Sequence, residues 1–184
     1  MHTKPNLKKS IARSPLRSGL LLIALACFSL SPFLRSAGAA IPAGWGSFHG
    51  NFFVIGVPPG FVAKPRGNPG GGGKSDAVSL WNKASSVEFY VFSPQWNGRA
   101  EIMEVAQGAE VLTSKESNRT GSVLEVQLTI TARDRSYVRF VISRTKENEN
   151  TNTTWGIRVP NMKVYEQIRP TYVRWKQTLE QFAD

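Results

Sequence analysis

The sequence predicts an α+β fold in which a mainly antiparallel sheet is covered by a long C-terminal helix. Two observations carry this. Between residues 51 and 143 several segments alternate apolar with other residues, the period of a strand with one face toward a core. From Met162 the spacing changes: Met162, Tyr165, Ile168, Tyr172, Trp175, Leu179 and Phe182 follow one another at intervals of three and four, one apolar stripe along a helix.

The first forty residues carry a different signal. Residues 1–40 hold Lys4, Lys8, Lys9, Arg13, Arg17 and Arg35 and no acid. The apolar run Gly19–Leu30 follows, short for a permanent membrane span, and then the small residues Ala37-Gly38-Ala39-Ala40. A basic stretch, an apolar core and an Ala-x-Ala site together predict a secretory signal peptide over 1–40, with a single α+β domain over 41–184. The competing readings are an uncleaved membrane anchor and a lipoprotein anchored through Cys27, since Ala24-Leu25-Ala26-Cys27 faintly resembles a lipobox. The expectation is export to the periplasm or outside the cell.

The charge follows this division. The chain of 184 residues has 23 Lys and Arg against 13 Asp and Glu, a net +10. Six of those bases precede residue 41, so the rest keeps 17 bases against 13 acids, a net +4. So small an excess argues against nucleic acid as a partner, because phosphate binding draws on clustered positive charge. The single cysteine excludes a disulfide scaffold and a Cys-based zinc site.

The remaining elements read in order. Asn51–Val57 is an apolar run stopped by Pro58-Pro59-Gly60, a strand ending in a turn. Arg66–Ser75 contains four consecutive glycines and reads as a loop. Ala77–Trp81 and Ser86–Ser93 pair across Asn82–Ser85, with Arg99–Ala106 and Glu110–Ser114 as weaker strand candidates. Ser122–Ser143 predicts a long hairpin: Leu124, Val126, Leu128, Ile130 and Ala132 form an apolar row, and Val138, Phe140 and Ile142 return it after the turn at Arg133-Asp134-Arg135. Trp155–Val159 reads as a last short strand. In the helix, Pro170 removes the donor to the carbonyl of Glu166 and predicts a kink or a restart.

Motifs for chemistry are scarce. Gly73-Lys74-Ser75 mimics the end of a P-loop, but Asn68 stands where that motif needs glycine and no helical pattern follows. His49 is the only histidine beyond the signal segment, so no histidine pair can hold a metal, and no Gly-x-Ser-x-Gly surrounds a serine. Neither a cofactor nor a metal is implied.

Two surface features stand out instead. Trp96 with Asn97 lies in the turn-rich segment Ser93–Gly98, and aromatics beside amides suit partner proteins and sugar rings. Arg135, Tyr137 and Arg139 share one face of the hairpin that runs from Arg133 to Arg144, a basic-aromatic strip suited to a polyanion or an anionic membrane surface.

Pro58–Phe61, the strand Val87-Glu88-Phe89-Tyr90-Val91, the long hairpin and the closing segment Tyr165–Phe182 together resemble the PsbP-like and DcrB-like exported proteins. The resemblance implies an α/β/α sandwich and a non-enzymatic accessory or binding role, in the periplasm, cell envelope or a thylakoid lumen, toward a protein or small ligand. Two alternatives stand beside it. One is a small secreted hydrolase using His49 and scattered carboxylates; the other is the polyanion or membrane binder just described.

Overall fold

The computed structural model describes residues 40–67 and 74–182. Residues 1–39, which include Cys27 and nearly all of the segment expected to be a signal peptide, and residues 68–73 lie outside the described residues. The strands, in chain order, are β1 (Gly46–His49), β2 (Phe53–Val57), β3 (Val62–Arg66), β4 (Ala77–Asn82), β5 (Val87–Phe92), β6 (Glu110–Thr120), β7 (Val123–Ala132), β8 (Val138–Lys146) and β9 (Thr151–Val159). Helix α1 (Met162–Gln177) and the short β10 (Glu180–Gln181) follow.

Seven strands form one antiparallel sheet in the order β3-β4-β5-β9-β8-β7-β6, and β1-β2-β10 form a smaller one. This order has a direct consequence. After β5 the chain leaves for the far edge, lays down β6, and returns strand by strand until β9 pairs with β5. The crossing segment 93–109 therefore has to pass over one face of the sheet. It carries a single 3₁₀ turn, Glu101–Met103, whose Ile102 and Met103 pack on Leu128, Ile130 and Val141. Gly156 in β9 makes room for it, since a Cβ there would stand 2.5 Å from Ile102 Cδ1.

The opposite face is covered by α1. Phe89 is the hub: its ring lies 4.6 Å from Phe61, 5.1 Å from Tyr172 and 5.2 Å from Trp175. Trp175 is fully buried, and Phe140 of β8 packs on Tyr165 at 4.9 Å. The helix is started by Asn161, whose Oδ1 accepts from the N–H of Val164 at 3.0 Å. Arg174 and Lys176 sit in its last turn, where the macrodipole favours cations.

Three expectations are corrected here, and the one at Pro170 is narrowed. The hairpin does not have one dry face: Leu128 pairs with Val141 and Thr129 with Phe140. Paired residues share a face, so the Leu124–Ala132 row meets the crossing segment while Val138 and Phe140 meet the helix. The turn sets this register through the bond from Ala132 N–H to Tyr137 O at 3.0 Å, and a slip of one residue would reverse every side chain. Arg99–Ala106 is the crossing segment rather than a strand. The helix runs through Pro170 as one element without restarting, and it stops at Gln177 rather than reaching Phe182. Thr178 ends it: its hydroxyl donates to Trp175 O at 2.7 Å and accepts from Gly56 N–H at 2.9 Å, which ties the last turn to β2.

Candidate functional site

Trp96 stands at the end of the sheet where β5 gives way to the crossing segment. Ser93 N–H donates to Asp76 O at 2.8 Å and Gly98 N–H to Trp96 O at 3.0 Å, which closes the loop tightly. Gly98 packs closely there: a Cβ would lie 2.9 Å from Trp96 Nε1 and 3.0 Å from Phe92 Cζ, so a larger residue would displace these rings. The indole is 46% exposed, and Phe52 meets it edge to face at 6.3 Å. Phe182, 40% exposed, is held to the same end by its N–H to Phe52 O at 3.1 Å and by Gln95 Nε2 donating to its carbonyl at 2.8 Å. Gln181 Nε2 donates to Ser93 Oγ at 2.8 Å and completes the clamp. Asn97 is exposed beside the tryptophan. Phe52 and Phe182 are members of this patch that sequence reading missed; only the fold brings both chain regions to the Trp96 loop.

The basic-aromatic strip is not assembled as expected. Arg135 is exposed in the turn, in left-handed backbone at φ 60°. Arg139 is instead buried at 7% exposure, because its face of β8 lies beneath the crossing segment. Its Nε and Nη2 donate to the two carboxylate oxygens of Glu110 at 2.8 and 2.7 Å, and its remaining donors reach the carbonyls of Ile102 and Glu104. Glu110 also accepts from Tyr137 OH at 2.7 Å and from Ala106 N–H at 2.8 Å. The Arg139 bond above all holds its carboxyl down at about 2. Tyr137 is pushed up, chiefly by burial and then by the Glu110 bond. Arg158 lies over the Tyr137 ring at 3.6 Å and 5.5 Å from the Trp81 ring. Arg144 pairs with Glu125 at 2.7 Å on the helix side.

The two predicted regions are not brought together. Phe92, next to the Trp96 loop, aligns with Thr154, whereas Val138, next to Tyr137, aligns with Val159 at the other end of β9. His49 is exposed on β1, where its recorded hydrogen-bond partner is the hydroxyl of Ser47 at 3.3 Å.

The fold defines an α+β protein with an antiparallel sheet, a C-terminal helix on one face and an exposed aromatic end. No family model matches the chain. No curated protein matches it either. Among solved structures it bears a weak PsbP-like resemblance: it is similar to cyanobacterial PsbP (CyanoP) from Synechocystis sp. PCC 6803, at 10% identity and TM-score 0.44, over 80% of this chain and 98% of that one. It is similar also to the Ran-binding protein Mog1p of Saccharomyces cerevisiae, at 10% identity and TM-score 0.43, over 77% of this chain and 96% of that one.

Proposed function

We propose that this is an exported, non-enzymatic binding protein that engages a protein partner through the aromatic end formed by Trp96, Phe52 and Phe182. One observation carries the reading: Trp96 is 46% exposed in a loop whose backbone bonds and side-chain clamps hold it outward. An ordered, half-exposed indole loses little entropy on binding and buries a large apolar area, and tryptophan is enriched at interface hot spots. The flanking amides of Gln95 and Asn97 suit the polar rim of such an interface.

The same reading takes the architecture as a reduced α/β/α sandwich, in which the crossing segment with its 3₁₀ turn occupies the place of a second helical layer. Export rests on the basic, apolar and Ala-x-Ala order of residues 1–40.

Both parts are testable in the organism that makes the protein. A photo-crosslinker in place of Asn97 is expected to capture one discrete partner, and Trp96→Ala is expected to abolish that adduct. An adduct of unchanged yield in the Trp96→Ala variant rules the aromatic end out. Mass spectrometry of the mature protein is expected to give an N-terminus at Ala40 or Ile41. Lipidated Cys27 would mean a tethered form, and an intact Met1 would refute cleavage of the segment as a signal peptide.

A further inference from the structure

Between α1 and the turn Pro58–Phe61 lies a cleft of about 390 Å³, at the lower end of the range of small-ligand sites. Its walls are apolar and anchored. Phe61 is stacked on Phe89 at 4.6 Å and held by its N–H to Pro58 O at 3.1 Å, and Ile168 packs against the core. Trp45 forms another wall, with the Arg174 guanidinium 5.9 Å from its ring centroid. No acidic side chain lines the cleft.

The polar side chains that do line it are Arg174, Asn82 and Thr171. Arg174 is exposed, and among the described residues its recorded contact is the Trp45 ring, not a carboxylate. Asn82 Oδ1 already accepts from Ala84 N–H at 3.1 Å, so its Nδ2 hydrogens are what it has left to offer. That Nδ2 lies beside the turn, 3.8 Å from where a Cβ on Gly60 would stand. A guanidinium and an amide donor over an aromatic and aliphatic floor complement an anion with a flat apolar body.

We propose that this cleft binds a small aromatic carboxylate, with the ring against Trp45, Phe61 and Ile168 and the carboxylate on Arg174 and Asn82. The site is separate from the aromatic end. The guanidinium supplies a planar fork for the two carboxylate oxygens, and the walls, Phe61 in the core with Trp45 and Ile168 packed against it, need not rearrange to receive the ring.

The test is a nuclear magnetic resonance titration of the purified protein with 3-phenylpropionate and with its uncharged isostere 3-phenylpropionamide. The carboxylate is expected to shift the Trp45 indole and Asn82 amide signals, and to bind about tenfold more tightly than the amide. Arg174→Gln is expected to erase that difference. Arg169→Gln, on the same helix but outside the cleft, is expected to keep it. Equal binding of the two compounds would overturn the proposal, as would a preference that survives Arg174→Gln. So would shifts centred on Trp96, or none at about 5 mM carboxylate, an affinity too weak for a built site.

Discussion

Arg139 and Glu110 form a buried two-point ion pair, Nε to Oε1 at 2.8 Å and Nη2 to Oε2 at 2.7 Å, with side chains 9% and 4% exposed. They are 29 residues apart in sequence, and the pair fastens the crossing segment to the sheet. The guanidinium also takes the carbonyls of Ile102 and Glu104, so one side chain holds the strand, the 3₁₀ turn and the start of β6 together.

This pair makes stability depend on pH in a defined direction. The Glu110 carboxyl titrates at about 2 in the folded chain against an ordinary 4.5. Because the folded value is the lower one, its contribution is complete above the ordinary value and is lost as pH falls from there through the folded one. The difference corresponds to roughly 3 kcal/mol. Urea unfolding from neutral pH down to about pH 2 should show this loss in the wild type. Glu110→Gln should be less stable at neutral pH by about 3–5 kcal/mol, since Arg139 is left buried without its carboxylate. The two proteins should converge in acid; curves that stay parallel would deny the pair its role.

The two tryptophans Trp96 and Trp175 should respond oppositely to truncation. Trp175→Ala empties a site with no exposure, against Phe89 and Tyr172, and should cost about 3–5 kcal/mol. Trp96→Ala removes a half-exposed ring and should cost less than about 1 kcal/mol. Urea midpoints measure both. A large loss from Trp96→Ala would make that residue a piece of the core rather than a contact surface.

Gly50 is demanded by packing. A Cβ there would stand 2.7 Å from both Cδ1 and Cζ of Phe53, a rigid ring with no exposure. Gly50→Ala should therefore destabilise by about 1–3 kcal/mol, the range of overpacked cores. Gly46→Ala, whose nearest neighbour would be Val57 Cβ at 3.7 Å, should stay within about 0.5 kcal/mol. Thermal unfolding of the two variants makes the comparison, and equal effects would contradict it.

Asn161 caps the only α-helix among the described residues. Asn161→Ala should lower stability by about 1 kcal/mol, while Asn161→Asp, which keeps the accepting oxygen, should hold it near wild type. Circular dichroism during thermal unfolding reads the change. An alanine variant as stable as the aspartate one would mean that the cap contributes nothing.

Several elements were legible because their own residues carry the pattern. The apolar runs of β2 and β5, the alternation of β7 and β8 and the stripe Tyr165–Trp175 each answer to a local period. Others lacked any such pattern. β6 was a strand candidate only over Glu110–Ser114; it is exposed along Val111–Thr120, and it extends to Thr120 because its backbone completes the ladder with β7. β3 contains Pro65, which an edge strand tolerates since its outer side needs no donor. At the candidate site, Trp96 and Asn97 could be singled out from the turn residues around them, but Phe52 and Phe182 could not. Asn152 is buried and donates to Ser143 and Thr145, which no local pattern can reveal.

By itself, then, the sequence determined the class: antiparallel strands followed by one amphipathic helix, because hydrophobic period is a local property of the chain. Tertiary structure alone decided which face each row would meet, that Arg139 would lie under the crossing segment rather than in water, and that three distant aromatics would share one end of the sheet. Those outcomes depend on strand register and on where the chain crosses after β5. Both are settled by contacts between residues far apart in sequence, whose energies no local pattern contains.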